Sequence, residues 1–404
     1  MIKQVDVVVV GASIVGLSFA NAMSGSGMKV AVIDANAPVS APAAEPAMRV
    51  SAISLASQQA FEKLGVWQQM QQERIAAYQH MRVWEQDSFA KIAFDALSTG
   101  TESLGTIIEN DNLIAALHLN LQSSDNVSLH YGAGIKQMNI AYPNHLLQLD
   151  DGQTFITKLI VGADGANSIV RKTSGFPLTF WSYDQKAIVA TVNTQEMHGH
   201  TARQVFTATG PLAFLPLWQE HQCSIVWSQD VDQADHLLAL SDRDFEKALT
   251  ATFDVRLGNV RLSGERRAFP LKMQYARQWA ADGIALIGDA AHTIHPLAGQ
   301  GANLGIMDAL ALAETLQQQD SSESGFANHT SLRQFERWRK AEASKMIATM
   351  EGFKRLFASN NPVKKLVRGL GMSAVDHLPL LKQQIIEQAL GSSGHLPALA
   401  KTGS

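Results

Sequence analysis

The stretch from Ala285 to Gly305 constrains the fold more than any other part of this 404-residue chain. It predicts a buried strand that delivers Gly288 and Asp289, then an irregular backbone held by Pro296 and three glycines, then a helix. A flat isoalloxazine ring needs close backbone contact and N–H donors near its electron-rich end, and a glycine-rich loop at a helix N-terminus supplies both. The stretch therefore predicts a flavin-binding loop.

A second glycine motif, Gly11-Ala-Ser-Ile-Val-Gly16, follows the β-branched run Val5–Val10 and precedes a segment of helical character. The next strand closes with Asp34, which suits an acid that accepts hydrogen bonds from ribose hydroxyls. Ser13 stands where dinucleotide folds usually have their second glycine, so its side chain crowds the phosphate approach or donates to it. The pattern favours dinucleotide binding over a plain strand–turn–helix unit.

A third motif runs from Leu159 to Ser168 and contains Asp164 and Gly165, with Arg171 shortly after it. A strand that ends in an ordinary Asp-Gly turn explains this motif equally well, so it carries little weight alone.

Composition narrows the class of protein. The chain is 46% hydrophobic and 17% charged, which predicts two or three globular domains rather than a disordered polypeptide. The net charge of −4 argues against nucleic-acid binding. The single cysteine, Cys223, excludes an internal disulfide, and we expect it to be a packed side chain; no metal site is predicted.

The N-terminal apolar run is interpreted as a strand–turn–helix unit and not as a signal peptide, because Asp6 and two glycines interrupt it. No stretch reaches the length of uncharged apolar sequence that a membrane-spanning helix needs. Residues 187–228 predict an antiparallel sheet of a different domain. A helix is expected to begin at about Asn303, the chain after it is mostly helical in pattern, and Gly391–Ser404 is expected to be a loose tail.

The three motifs, in this order, resemble those of the flavoprotein aromatic hydroxylases with the para-hydroxybenzoate hydroxylase fold. A tighter resemblance to the ring hydroxylases of ubiquinone biosynthesis spans nearly the whole chain. It is carried by Arg49–Ser54, Leu64–Trp67, Glu109–Asn110, Gly162–Ser168, Ala213–Leu217 and Gly288–Gly305. Three further segments look most like the 2-polyprenylphenol hydroxylases, which act at C5 in ubiquinone numbering: Pro177–Trp181, Ala202–Phe206 and Asn360–Leu366.

The resemblance implies an α/β fold with a Rossmann-like FAD-binding domain, an antiparallel-sheet substrate domain and C-terminal helices. The FAD-binding domain is expected to be discontinuous, with residues 1–75, 105–175 and 275–340. The substrate domain is expected to contain residues 76–104 and 176–274, followed by a helical region and tail over 341–404.

The resemblance also implies FAD as the cofactor. Gly11–Gly16 would lie along the pyrophosphate, Asp34 would take the adenosine ribose, and Arg49 and Asn110 would sit near the pyrophosphate and ribityl chain. The complete predicted set of cofactor-binding residues is Gly11, Ser13, Ile14, Val15, Gly16, Asp34, Arg49, Asn110, Asp164, Gly165, Gly288, Asp289, Pro296, Gly299, Gln300, Gly301, Ala302 and Asn303.

Roles near the flavin ring follow from the same resemblance. Asp164–Gly165 belongs to a fingerprint tied to both FAD and NAD(P)H, Asp289 would hold the ribityl chain, and Pro296 with Gly299–Asn303 would line the ring. No residue is identified as a required acid or base. Pro296 and His295 are the flavin-facing candidates, and His295 is equally compatible with simple packing. For His292 a packed, satisfied side chain is favoured over a catalytic one.

In this family NAD(P)H reduces the flavin and O₂ adds to give a C4a-hydroperoxide, whose distal oxygen is attacked by an electron-rich phenol. The resemblance therefore implies a transiently bound NAD(P)H, O₂ and hydroxylation of a polyprenylated phenol at C5. Hydroxylation at another ring position or of a soluble phenol remains an alternative. An alternative from another class is a non-catalytic flavin-binding subunit of a biosynthetic complex.

Residues 353–368 carry five basic and no acidic side chains between apolar ones. Such a segment suits either the surface of an anionic membrane or a packed helix with a solvated basic face. The expected location is cytoplasmic, with the inner face of the cytoplasmic membrane as a site of peripheral association. Other ubiquinone-biosynthesis proteins and a second copy of the chain are further expected partners, and nucleic acid is not.

Overall fold

Two large β-sheets carry the fold, and a third, three-stranded sheet lies with them. The computed structural model describes residues 2–86, 91–294, 300–319, 326–357, 390–391 and 393–401. Its strands, in chain order, are β1 (Ile2–Val10), β2 (Val30–Asp34), β3 (Val50–Ile53), β4 (Ile75–Tyr78), β5 (His80–Glu85), β6 (Lys91–Asp95), β7 (Gly105–Glu109), β8 (Val127–Tyr131), β9 (Ile135–Asn139), β10 (His145–Leu149), β11 (Thr154–Gly162), β12 (Leu178–Thr194), β13 (Thr201–Phe206), β14 (Pro211–Pro216), β15 (Gln222–Asp230), β16 (Val260–Ala276), β17 (Ala280–Ala281), β18 (Ile284–Leu286) and β19 (His292–Thr293).

The described α-helices connect or cover these sheets. They are α1 (Ile14–Met23), α2 (Leu55–Lys63), α3 (Asn110–Leu121), α4 (Ile169–Thr173), α5 (Val231–Ala239), α6 (Asp242–Thr252), α7 (Gln300–Gln317) and α8 (His329–Phe357).

The first sheet has the strand order β17-β18-β11-β1-β2-β8, with β10 and β9 added beside β11. Its central pairs, β18–β11, β11–β1, β1–β2 and β2–β8, are parallel. Val7–Val10 is buried on both faces of the sheet, which explains why this run is apolar without alternation. One face packs on α1, α3 and α7. Because β1, β11 and β18 are parallel, their carboxyl ends open onto the same edge of the sheet.

The second sheet has the order β19-β16-β12-β15-β14-β13-β5-β6 and is antiparallel except for the β13–β5 pair. One face is covered by α5 and α6, whose Leu237, Phe245 and Leu249 pack against Ile188 and Ile225 of the sheet. The opposite face is turned toward the carboxyl ends of the parallel sheet. Because β19 immediately follows the turn after β18, the two sheets meet at the predicted flavin-binding loop.

The predicted fold class is confirmed, including the antiparallel sheet over residues 187–228. Two features were not predicted: the helices α5 and α6, and the 17-residue strand β16. Charged residues such as Arg261, Glu265, Arg266 and Arg267 interrupt the apolar alternation of β16, because much of that strand faces solvent. The strand β4, which the sequence interpretation assigns mostly to the substrate domain, pairs with β7 in the three-stranded sheet instead.

The prediction of a loose tail over Gly391–Ser404 is wrong for residues 393–401. His395 stacks on Trp338 of α8 with ring centroids 4.4 Å apart, and its carbonyl accepts a hydrogen bond from the Trp338 indole. Ala400 is buried among side chains of α2 and α7. The small polar residues that suggested a tail surround a short apolar anchor, Leu396 to Ala400, which packs on the core.

Candidate active site

A cleft of about 980 Å³ lies where the two large sheets meet, and most of the predicted cofactor-binding residues line it. From the parallel-sheet side these include Gly11, Ser13, Ile14, Val15, Asp34, Arg49, Asn110, Asp164, Gly165, Asp289, Gly301 and Ala302. From the antiparallel sheet, Ala187, Val189, Ser224, Val226, Phe269, Pro270, Leu271, Lys272 and Gln274 complete the lining. Residues far apart in sequence therefore form one continuous site.

The first glycine turn is packed too tightly to admit side chains at its two glycines. Gly11 has φ +108°, and a Cβ there would lie 2.4 Å from the carbonyl oxygen of Ala163, so any side chain would clash. A Cβ at Gly16 would collide with the Gly11 carbonyl, so this glycine lets α1 pack on the turn. Ser13 caps α1 but makes no capping hydrogen bond, and its exposed hydroxyl is available to a phosphate at the helix N-terminus.

Asp34 holds the glycine turn in place as well as facing the cleft. Its Oδ2 accepts a 2.7 Å hydrogen bond from the Ala12 amide, and its Oδ1 accepts hydrogen bonds from the backbone and side-chain nitrogens of Asn36. Oδ2 keeps a further lone pair for a ribose hydroxyl, whereas both lone pairs of Oδ1 are used. The Asp34 side chain is thus fixed against the turn.

A buried ion pair fixes the loop that leads to Arg49. The Arg74 guanidinium binds both carboxylate oxygens of Glu109 at 2.7 and 2.8 Å and donates to the carbonyl of Ala43 in the loop. Arg74 also lies 4.6 Å from the ring centroid of Trp218, in the turn after β14. These contacts set the position of Arg49, whose guanidinium lies 5.8 Å from the Phe269 ring centroid in the cleft.

Among the described residues of the cleft, two buried atoms that can only accept a hydrogen bond have no partner within the protein: Oδ1 of Asp164 and Oε1 of Gln274. The other carboxylate oxygen of Asp164 accepts from the amides of Ile169 and Val170 at the start of α4. Gln274 pairs with Thr293 of β19, beside the flavin-binding loop. Both orphaned atoms are acceptors, and the ribityl and ribose hydroxyls of FAD are donors, so the residues present fit this cofactor.

Asp289 stands at the carboxyl end of β18, in a tight turn over Gly288–Ala290. Its side chain is open to the cleft, but protein groups also surround the carboxylate. Burial among these groups raises the pKa of Asp289, although the positive charges of His292 and Arg49 counteract it. A donor from the ribityl chain would stabilise the charged carboxylate.

The helix α7 begins at Gln300, three residues before the expected start, and its N-terminal turn brings Gly301 and Ala302 into the cleft. Val15 of α1 packs directly on Gly305 of α7. The contact is so close that a Cβ at Gly305 would lie 2.7 Å from a Val15 methyl group. The positive end of the helix dipole therefore faces the cleft, which suits the electron-rich end of an isoalloxazine ring. The side chain of Gln300 lies outside the described residues, as do the predicted flavin-facing residues His295, Pro296 and Gly299.

A buried carboxylate, Asp308, ties this loop to both C-terminal helices. Its Oδ2 accepts a hydrogen bond from the Gly288 amide and lies 2.5 Å from Nε2 of His292, while its Oδ1 accepts from Nε of Arg339 at 2.7 Å. Burial alone would raise the pKa of Asp308, but the charges and hydrogen bonds of His292 and Arg339 outweigh it and lower that pKa. His292 is also packed on Trp279, in agreement with the packed interpretation of this histidine.

Asn303 is the predicted residue whose side chain the structure places elsewhere. It is buried, it donates to the Ala52 carbonyl, and its carbonyl oxygen accepts from the Ser54 amide and the Ser57 hydroxyl. The amide thus joins α7 to the segment between β3 and α2 and does not reach the flavin side of the cleft. The geometry corrects the expectation that this side chain lines the ring.

Several lining residues were not identified from the sequence. Trp227 of β15 packs with Phe245 on the far, helix-covered face of the sheet and does not line the cleft. The residues that do face the cleft lie on β12, β15 and β16. The alternation along β15 could have shown this, because Cys223 and Ile225 belong to the opposite, helix-covered face. Burial raises the pKa of the Cys223 thiol to about 12, as expected for a packed cysteine.

Comparison with solved structures supports the same architecture. The p-nitrophenol 4-monooxygenase PnpA from Pseudomonas putida superimposes with a TM-score of 0.78 at 18% identity, over 96% of this chain and 98% of that one. PqsL from P. aeruginosa, in complex with 2-aminobenzoylacetate, gives 0.76 at 19% identity, over 92% and 100%. At these identities the comparison establishes the fold, in which a dinucleotide cleft faces an antiparallel sheet.

The chain is a FAD-dependent monooxygenase, as its family and the following relatives show. Residues 4–349 match the FAD binding domain family, and the chain belongs to this family. Its relatives include the 3-demethoxyubiquinol 3-hydroxylase of Escherichia coli, 34% identical over 96% of this chain and 99% of that protein. The mitochondrial ubiquinone biosynthesis monooxygenase COQ6 of Danio rerio is 34% identical over 84% of this chain and 78% of that protein. The ubiquinone hydroxylase UbiL of Rhodospirillum rubrum is 33% identical over 96% of this chain and 90% of that protein.

Replacing Arg339 by Met should lower the free energy of unfolding by about 3 kcal/mol, because Asp308 would stay buried with one charged partner removed. Urea unfolding of the FAD-loaded protein measures this, with Arg337→Met, an exposed arginine on the same helix, as the matched control. The lowered pKa of Asp308 means that its stabilisation is complete above the ordinary carboxyl pKa of about 3.9 and is lost as the pH falls through the folded-state value. The difference between wild type and variant should therefore shrink in acid; equal losses for both arginines would contradict the account.

Asp289→Asn should change cofactor affinity and apoprotein stability in opposite directions. FAD binding, followed by quenching of flavin fluorescence, should weaken about tenfold or more because a charge-assisted hydrogen bond is lost. A carboxyl whose pKa is raised by folding destabilises the fold above that pKa, so the neutral amide should raise the melting temperature of the apoprotein at pH 7. Unchanged FAD affinity would show that Asp289 does not contact the cofactor.

Proposed function

We propose that this chain hydroxylates the aromatic ring of a polyprenylated phenol in ubiquinone biosynthesis, at C5 in ubiquinone numbering. The observation that carries the proposal is the cleft itself, which sets the FAD motifs against an apolar sheet face containing Val189, Val226, Phe269 and Leu271. An electron-rich ring with an isoprenoid chain suits an apolar wall, since it offers few polar groups to satisfy. The relatives named as ubiquinone-biosynthesis hydroxylases support the same substrate class.

The overall reaction consumes the phenol, O₂, NAD(P)H and a proton, and it yields the hydroxylated phenol, NAD(P)⁺ and water. Bound FAD would supply the electron transfer and oxygen activation, while the protein orients the ring and excludes water. Asp34, Asp164, Asp289 and Gln274 would hold the cofactor through its hydroxyl groups. The positive end of α7 would stabilise negative charge on the reduced ring.

NAD(P)H is proposed to bind transiently. FAD would occupy the Gly11–Gly16 turn between β1 and α1. The Asp164–Gly165 turn lines the open cleft and is the proposed contact for the nicotinamide nucleotide as well as for FAD.

A second ring position is supported by a specific observation. The E. coli relative, with 34% identity over almost its whole length, is named as a 3-hydroxylase of demethoxyubiquinol and not as a C5 hydroxylase of a polyprenylphenol. We therefore keep hydroxylation of a later, more substituted ring in the same pathway as the second candidate.

No described helix is both long enough and apolar enough to cross a bilayer. We propose a cytoplasmic protein that associates with the inner membrane face, where a polyprenylated substrate resides, together with other proteins of the pathway. The basic segment 353–368 predicted for this contact lies outside the described side chains, and only its first residues, to Phe357, are described as backbone of α8.

Product analysis by mass spectrometry tests the proposed function. The purified FAD-loaded protein, given NAD(P)H and either a 2-polyprenylphenol or a demethoxyubiquinol, should convert one of them to a product with one additional oxygen. Conversion of the 2-polyprenylphenol supports hydroxylation at C5, and conversion of the demethoxyubiquinol supports the second candidate. A flavin-containing protein that never consumes NAD(P)H with either substrate, or with a soluble phenol, would instead favour the non-catalytic flavin-binding alternative.

A further inference from the structure

One hydroxyl group in the cleft is left without a partner. Ser224 of β15 lines the cleft and is completely buried, yet its Oγ makes no hydrogen bond within the protein. A buried hydroxyl normally finds a partner, because leaving it unsatisfied costs free energy that a methyl group would not. An unsatisfied serine in a ligand cleft therefore points to a ligand atom.

Ser224 lies beside apolar side chains and one other hydroxyl group. Its neighbours across the sheet are Leu215 on β14 and Thr191 on β12, and Val226 follows it on the same face. Leu215 packs against Ala52 and other side chains of the three-stranded sheet. Ser224 thus offers an unpaired hydroxyl group beside the apolar wall that contains Val189 and Val226, where a single hydrogen bond would hold a ring.

The strand order separates this serine from the cofactor side of the cleft. Gln274, the orphaned acceptor assigned to FAD, lies on β16, directly beside β19 and the flavin-binding loop. Ser224 lies on β15, two strands further into the sheet, and its partner on β12 is Thr191, eleven residues beyond Phe180, the partner of Gln274. Ser224 is therefore well separated from the acceptor assigned to FAD, which leaves its hydroxyl group to the substrate.

We propose that the Ser224 hydroxyl is the polar anchor of the substrate, accepting a hydrogen bond from the ring hydroxyl of the phenol. This inference rests on the proposed function and adds the atom by which the phenol is recognised. The hydrogen bond fixes which ring carbon faces the flavin, while the isoprenoid chain lies along apolar surface and needs no polar partner. Ser224 is thus a residue that determines specificity and regiochemistry.

A comparison of two substrates in two variants tests the assignment. The phenol can donate a hydrogen bond to the Ser224 hydroxyl, but its O-methyl ether cannot. The difference in intrinsic reactivity between the two rings is the same for every variant, so it cancels when the variants are compared. The ratio of kcat/KM for phenol over ether should fall about tenfold from wild type to Ser224→Ala, which corresponds to about 1.4 kcal/mol. The Ser224→Ala variant should also release more H₂O₂ per NAD(P)H, because a poorly held ring misses the activated oxygen.

Ser228→Ala is the matched control. Ser228 is a buried serine on the same strand and face, but it packs beside Gly210 and does not line the cleft. It should keep the wild-type ratio, and both variants should bind FAD fully, which shows that they fold. A wild-type ratio in Ser224→Ala would overturn the inference while the hydroxylation stands; wild-type protein that hydroxylates no phenol would instead remove the function on which the inference rests.

Discussion

A single buried charge, the carboxylate of Asp308, holds together the parts of the chain that form the cofactor site. A carboxylate in the core must be paired and hydrogen-bonded, and Asp308 meets this requirement with the Gly288 amide, His292 and Arg339. Each partner belongs to a different element: the turn after β18, the strand β19 and the helix α8. The requirement to satisfy one charge thus fixes the turn that presents Asp289 and the start of the flavin-binding loop.

The cleft follows from this junction. Because β19 is at once the continuation of the flavin-binding turn and the edge of the antiparallel sheet, the cofactor motifs must face that sheet. Its α5–α6 face is closed by helices, so its other face is free to form a wall for a substrate ring. On the opposite side, the Arg74–Glu109 pair and Trp218 hold the Arg49 loop against the turn between β14 and β15. Polar contacts therefore position the motifs, and apolar contacts shape the pocket.

Much of this could be predicted from the sequence, and what escaped prediction has physical reasons. Glycine turns such as Gly11–Gly16 are local, since they depend on backbone space within a few residues, and they gave the strand–turn–helix unit and the fold class. The role of Arg339 could not be predicted from the sequence, because it depends on the Asp308 carboxylate, 31 residues earlier, which only the packing of α7 and α8 brings near. Ser224 was hidden for the same reason, since the face that a strand residue occupies is decided by distant partners. Asn303 lies within a recognised motif but is used to join two elements, which a motif alone cannot show.

The central claim is that this cleft brings FAD and a phenol ring together for oxygen insertion. The most direct measurement supplies the FAD-loaded protein, NAD(P)H and the polyprenylated phenol with isotopically labelled ¹⁸O₂ and follows the label by mass spectrometry. The expected result is a hydroxylated ring that carries one labelled oxygen, with no label when only the water is labelled. A product whose new oxygen comes from water, or NAD(P)H oxidation that yields only labelled H₂O₂, would contradict the account.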